Sequence, residues 1–338
     1  MDKSYTIFIG TSGFGLQYSR DGGETWKDTG AYAGGPREDW VADLEGIVRA
    51  LAVDPSNPHR VYAGTDNFGI YRSEDNGTSW THLKSPMEGL EIWSIEVDPN
   101  DSDTLYVGTR PNGFRTRDGG KTWDKLEIGV DQSAPLWPPR TTKLLVDPRD
   151  RQTIWASVEV DGVHKSTDGG DSWSRMTALG PKHLEGKPEY PFYSDVHCIA
   201  VNAEASTVIA STPFGVATSH DEGKSWDYHQ FPEIGYCRCL LPKPGDPNTM
   251  YLGNGDTIPG QTGTIRRTKD GGKSWEQLTL PVKPNSVVYW LGTHANVPDT
   301  IVASSIFGYV YLSEDGGESW TKLDREFGEV RSVAVTPN

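Results

Sequence analysis

The sequence predicts an all-β protein, a single seven-bladed propeller over residues 1–338, and three observations carry that prediction. First, one pattern recurs seven times: YSRDGGETW at 18–26, then RSEDNGTSW, RTRDGGKTW, KSTDGGDSW, TSHDEGKSW, RTKDGGKSW and LSEDGGESW. Second, the closing tryptophans, Trp26, Trp80, Trp123, Trp173, Trp226, Trp275 and Trp320, are 54, 43, 50, 53, 49 and 45 residues apart. That period matches one four-stranded propeller blade. Third, the intervening sequence reads as short strands and turns, and helical periodicity is nowhere sustained.

Each unit repeats the same order. In the second, GIVRALAVDP is a β-rich run closed by a turn, HRVYAGT a second run, GIYRSED a third and SWTHLKS a fourth. Turns such as DPSNP use Asp, Pro and Asn, which set or tolerate turn geometry. The first unit opens on SYTIFIGT without an innermost strand, and EVRSVAVTPN at the other end supplies it. The ring is thus expected to close by one C-terminal strand joined to three N-terminal ones.

Composition narrows the function classes. Lysine plus arginine total 32 against 47 acidic residues, a net charge of −15 that argues against nucleic acid and anionic membrane surfaces as partners. Three cysteines form no disulfide framework, and no apolar run near the start suits a signal peptide or a spanning helix. A cytoplasmic location is the expectation. The oligomeric state is left open.

The pattern S-x-D-x-G-x-[ST]-W resembles the Asp-box, or BNR repeat, and its copies cover nearly the whole chain, with Thr116 and Thr268 keeping the hydroxyl where Ser19 stands. The resemblance implies a propeller of the WD40, YVTN and BNR kind, with each box forming the turn between the third and outermost strands. The residues agree with a fastening role. Asp21 can accept from the N–H groups of its own turn, Gly23 can take a positive φ, and Trp26 can bury its ring. Function is then expected on the opposite face, where the long insertions fall: 28–46, 178–195 and 253–264.

Aligning the innermost strands on their closing turns gives three columns. Leu51, Ile95, Leu144, Ile199, Leu240, Leu291 and Val333 form an aliphatic column. Toward the loop-rich face come Arg49, Trp93, Thr142, His197, Arg238, Tyr289 and Arg331, then Ile47, Glu91, Arg140, Asp195, Tyr236, Val287 and Glu329. This describes a sealed channel with a polar and aromatic mouth. Arg49, Arg238, Arg331 and Arg140 either clamp an anion or pair with Glu91, Asp195 and Glu329. His197, oriented by Asp195, is a candidate acid or base or a hydrogen-bonded strand histidine, with Glu91 or Glu329 as a second carboxyl. Trp93, Tyr289, Tyr236, Trp40 and Trp137 suit stacking on a sugar or flat ring, and equally suit packing the loops down. Cys198, Cys237 and Cys239 read as structural. No cofactor is expected, and a metal at the mouth is left open.

Two enzyme families bear on the reading. Sialidases also carry Asp-boxes and bind a carboxylate through three arginines, which would fall to Arg49, Arg238 and Arg331, but they have six blades and an Arg-Ile-Pro element near the start, whereas this chain has seven repeats and no such tripeptide. VDPSNPHRVYAGT and FRTRDGGKTW resemble xyloglucan-cleaving glycosidases more closely. Asp-box assembly factors and sorting receptors, which bind proteins through the same face, are a third resemblance. The expectation is a small anionic or hydroxylated, carbohydrate-like molecule bound at the mouth and hydrolysed or cleaved by a lyase. A protein-binding scaffold and a xyloglucanase-like hydrolase are the alternatives.

Overall fold

The computed structural model describes residues 2–29, 46–131, 138–176, 194–204 and 206–338. The chain opens with β1 (Tyr5–Thr11), β2 (Leu16–Ser19) and β3 (Lys27–Asp28). Six strands follow: β4 (Val48–Val53), β5 (Val61–Ser73), β6 (Thr81–Asp98), β7 (Asp101–Arg110), β8 (Gly113–Thr116) and β9 (Asp124–Leu126). Next come β10 (Thr141–Asp147), β11 (Asp150–Val158), β12 (Gly162–Ser166) and β13 (Ser174–Arg175), then β14 (Cys198–Val201), β15 (Val208–Thr212), β16 (Gly215–Ser219) and β17 (Asp227–His229). The chain ends with β18 (Tyr236–Lys243), β19 (Asp246–Gly255), β20 (Gly263–Thr268), β21 (Glu276–Gln277), β22 (Val288–His294), β23 (Val297–Ser305), β24 (Val310–Ser313), β25 (Thr321–Lys322) and β26 (Val330–Pro337).

These strands assemble into six sheets, which corrects the expectation of seven blades. Five are four-stranded, and one is six-stranded in the order β4-β5-β6-β7-β8-β9. The cause is strand continuity. β6 runs through 18 residues, pairing with β5 from Thr81 to Glu91 and with β7 from Glu91 to Asp98, so two Asp-box units share one sheet. The closing sheet has the order β26-β1-β2-β3, with Phe8 opposite Ala334. Around the channel, β26, β4, β6, β10, β14, β18 and β22 succeed one another, the six-stranded sheet contributing both β4 and the end of β6.

The core lies between the sheets, which explains why several strands read as continuous apolar runs: all seven residues of β1, YTIFIGT, are buried. Glycines permit the close approach. A Cβ on Gly108 would stand 2.4 Å from the Thr141 carbonyl oxygen, and one on Gly253 2.4 Å from that of Val288. The turns that close the innermost strands are held by their own first residue, as where Asp54 Oδ1 accepts from Ser56 N and Asp98 Oδ1 from Asn100 N, both at 2.9 Å.

All seven Asp-boxes adopt one hydrogen-bonded turn. In the first, Ser19 Oγ donates to Asp21 Oδ1 and accepts from Gly23 N, each at 2.8 Å, Asp21 Oδ1 accepts from Thr25 N at 2.9 Å, and Gly23 has φ +92°. Trp26 Nε1 donates back to the Gly23 carbonyl at 3.0 Å. The boxes also tie sheet to sheet, since Tyr106 Oη donates to the Gly169 carbonyl at 3.1 Å and Tyr251 Oη to that of Gly316 at 2.6 Å.

Asp315→Ala should therefore cost roughly 0.5–2 kcal/mol, the range for losing a side-chain cap on backbone N–H groups, as read by urea denaturation. The box carboxylates also set an acid limit. Hydrogen bonds from Ser319 hold Asp315 down to about 2, and those from Thr122 hold Asp118 down to about 2. Because the folded values lie below the unfolded one near 3.9, this stabilisation is complete above about pH 4 and is lost as pH falls through about 2. A melting temperature that stayed constant from pH 5 to pH 2 would refute this.

Candidate functional site

The mouth is built by a repeated irregularity in the innermost strands. In β4 the pairing with β5 steps from Val48–Thr65 to Ala50–Gly64, leaving Arg49 as an extra residue. The same shift isolates Trp93 in β6, Thr142 in β10, Tyr289 in β22 and Arg331 in β26, and one falls across Arg238 and Cys239 in β18. A bulge bends its strand and re-aims a side chain. Such bulges occur in six of the seven innermost strands, the seventh, β14, being preceded directly by His197, and the channel holds a cavity of about 160 Å³ lined by Arg49, Trp93, His197, Arg238, Tyr289 and Trp290 among others.

The charged residues of the mouth are engaged with one another. Arg49 grips Asp66 through two hydrogen bonds, with both side chains only 8% exposed. Burial works against the Arg49 charge, but Asp66 outweighs it and raises the guanidinium above its ordinary value. Arg140 pairs with Glu159, Arg331 with Glu329, and Arg110 with Glu91 at 3.4 Å. Arg238 lies 3.9 Å from Glu159. Guanidinium groups also cover the aromatic rings: Arg49 and Arg140 stand 4.1 and 3.8 Å from the Trp93 ring centre, and Arg238 4.1 Å from that of Tyr289. Trp93 and Tyr289 are consequently buried. Glu91 and Glu329 keep 30% and 37% of their side chains exposed, and Glu91 Oε2 accepts from Trp93 Nε1 at 2.9 Å.

His197 lines the same channel and is fully buried. Its Nδ1 is 2.6 Å from the Cys237 carbonyl oxygen, and its Nε2 is 3.3 Å from Asp195 Oδ2 and 3.4 Å from Tyr236 Oη. Asp195 would be raised by burial, but His197 and Arg238 together hold it below the usual carboxylate range. Burial pushes the Tyr236 hydroxyl and the Cys237 and Cys239 thiols up. The thiols are free, and Asn254 Nδ2 donates to Cys237 Sγ at 3.0 Å.

Of the expected site residues, the structure places Arg49, Trp93, His197, Arg238 and Tyr289 on the channel wall, joins Arg140 and Glu91 to them through Trp93 and Asp195 and Tyr236 through His197, and leaves Arg331 and Glu329 paired with each other off that wall, while Trp40 and Trp137, and most of the insertions at 28–46 and 178–195, lie outside the described residues. Three charged partners were not anticipated: Asp66, Arg110 and Glu159. Each stands one residue beyond Thr65, Thr109 or Val158 in the second run of its unit, so aligning those runs brings all three into one column. The loop-bearing face also exposes three phenylalanines at one turn of three successive units, Phe307 (46%), Phe14 (69%) and Phe68 (46%).

A family model described as Sortilin-Vps10 (Sortilin, neurotensin receptor 3) matches residues 69–184 and 215–335, well over half of the chain. The chain belongs to the Sortilin-Vps10 family. Within this Sortilin-Vps10 chain a BNR/Asp-box repeat model also matches residues 17–28. A probable oligoxyloglucan-reducing end-specific xyloglucanase of Neosartorya fischeri is 30% identical over 248 residues, covering 71% of this chain and 28% of the relative. A xyloglucanase of a Paenibacillus species is 23% identical over 365 residues, covering 93% and 34%. The chain therefore spans about a third of the length of these relatives. The solved GH74 xyloglucanase of Xanthomonas campestris shares the fold of this Sortilin-Vps10 propeller with a TM-score of 0.63 at 19% identity, over 81% of this chain and 45% of that one.

Proposed function

We propose that this propeller binds a neutral polysaccharide of the xyloglucan class across its loop-bearing face and hydrolyses its glycosidic bonds. One observation carries the reading: exposed aromatic rings and half-exposed carboxylates occupy the same arc of the ring. Phe307, Phe14 and Phe68 belong to consecutive units, Glu329 directly precedes β26, and Glu91 stands where β6 passes from β5 to β7, so the two carboxylates lie on the strands on either side of β4. Apolar faces of sugar rings pack on exposed aromatic rings, and glycoside hydrolysis ordinarily needs two carboxyl groups flanking the bond. Both oxygens of Glu91 already face donors, from Trp93 and Arg110, which suits a carboxylate that activates water. The names of the relatives support the substrate class.

The paired guanidiniums favour a neutral ligand over an anionic one. An anion at Arg49, Arg140 or Arg331 would have to displace Asp66, Glu159 or Glu329, and Arg238, 3.9 Å from Glu159 with no hydrogen bond to it, is covered by the Tyr289 ring. Elimination next to a carboxylate would need the same displacement, so hydrolysis is preferred to lyase chemistry.

The test is to incubate the protein with xyloglucan, an unsubstituted β-glucan and polygalacturonate, measuring binding by affinity electrophoresis and cleavage by new reducing ends. Xyloglucan should be bound and cut in preference to polygalacturonate. Preference for the polyanion, or no polysaccharide binding, would overturn the reading, and binding without new reducing ends would leave a carbohydrate-binding scaffold. Phe14→Ala should weaken xyloglucan binding by about 0.5–1.5 kcal/mol, roughly two- to twelvefold in affinity, without lowering the melting temperature. Unchanged affinity would remove the aromatic row from the site.

A further inference from the structure

We infer that His197, Asp195 and Glu159, buried in the wall of the mouth, form a binding site for a divalent transition-metal ion of the zinc type. The inference does not depend on the polysaccharide reading. One oxygen or nitrogen from each of the three side chains lies within 4.8 Å of the others. The side chains are 0%, 8% and 4% exposed.

The hydrogen-bond arrangement points to an ion. The Cys237 carbonyl, 2.6 Å away, can only accept, so His197 Nδ1 must carry a proton. Nδ1–H donation to a backbone carbonyl is the second-shell contact that fixes a metal-binding imidazole with its other nitrogen free. That nitrogen, Nε2, faces Asp195 Oδ2 at 3.3 Å and Tyr236 Oη at 3.4 Å. A charge-assisted hydrogen bond between imidazolium and carboxylate would be about 2.7–2.9 Å long. By contrast, ligands about 2.0–2.1 Å from a tetrahedral zinc are spaced about 3.4 Å apart. An independent sign is Glu159 Oε2, which is buried and has no hydrogen-bond partner. Burying a carboxylate oxygen unsatisfied is costly, and an ion shared with Asp195 and His197 would satisfy it.

Charge selects the class of ion. Arg140 and Arg238 face Glu159, and Arg238 also acts on Asp195, so the two carboxylates are already offset by two guanidiniums. A calcium or magnesium ion, held mainly by electrostatic attraction to oxygen, gains little there. A zinc-type ion also draws on the imidazole lone pair.

The test uses the full chain, freed of metal by chelator, with Zn²⁺ alone as the calorimetric probe. One ion per chain and a raised melting temperature are expected, with no matching effect from Mg²⁺. Glu159→Gln should weaken Zn²⁺ binding by at least about tenfold, and Cys198→Ser should leave it unchanged. Should Glu159→Gln fail to fold by circular dichroism, the Co²⁺-loaded unsubstituted protein decides. Visible bands of a tetrahedral nitrogen–oxygen site support the inference, and a thiolate charge-transfer band overturns it. No uptake of Zn²⁺, or equal affinity in a folded Glu159→Gln, also overturns it.

Discussion

Asp66→Ala is expected to destabilise the protein by about 3–5 kcal/mol, the range for removing one member of a buried ion pair. Asp66 and Arg49 are each 8% exposed, and Asp66 takes both hydrogen bonds of the Arg49 fork. Without the carboxylate, the guanidinium would remain desolvated against the Trp93 ring, 4.1 Å away, with Glu91 left as a carboxylate acting on it. Most of the loss is thus the cost of an orphaned charge, and it should be recovered when the charge is removed as well. Urea denaturation of Asp66→Ala and of Asp66→Ala with Arg49→Met would show this. The double variant should be the more stable of the two. A single variant within about 1 kcal/mol of the parent, the usual range of an exposed pair, would mean that water reaches Arg49 freely.

Glu91→Gln is expected to lower turnover of xyloglucan by roughly 10²–10⁴-fold, the usual contribution of a positioned acid or base, with binding nearly intact. Glutamine keeps the size of the side chain and an oxygen for Trp93 Nε1, but it cannot take a proton from water. Glu329→Gln should reduce turnover comparably if the two act together across one bond. Steady-state kinetics separate the cases. A fall in turnover at unchanged KM supports the pair, a rise in KM alone would make Glu91 a binding residue, and full activity in both variants would place the reacting carboxylates elsewhere.

The parts of the fold visible in the sequence are those built from local chemistry. The Asp-box is legible because Ser19, Asp21, Gly23 and Trp26 complete their hydrogen bonds within one turn. The mouth column is legible because Asp54 and Asp98 close the innermost strands at a fixed distance from it. The number of sheets is not legible, since it depends on the backbone of β6 staying paired from Thr81 through to Asp98. Nor are the bulges, because an extra residue at Arg49 or Tyr289 is defined only against the partner strand. Asp66 and Glu159 escaped for a related reason: their partners come from other strands, and a guanidinium gives no sign in sequence of which carboxylate will reach it.

The closing sheet bears on how the molecule reaches its shape. Pairing Phe8 with Ala334 joins positions separated by almost the whole chain, yet loop-closure entropy grows only logarithmically. Each doubling of loop length costs about 0.6 kcal/mol, so this contact is about 3 kcal/mol dearer than a ~12-residue hairpin. The expense is modest at equilibrium and large in time, because contacts so distant in sequence must wait for the intervening sheets to form. The joint between β26 and β1 is therefore expected to be the last to form on refolding, and a stopped-flow probe placed there should report the slowest phase.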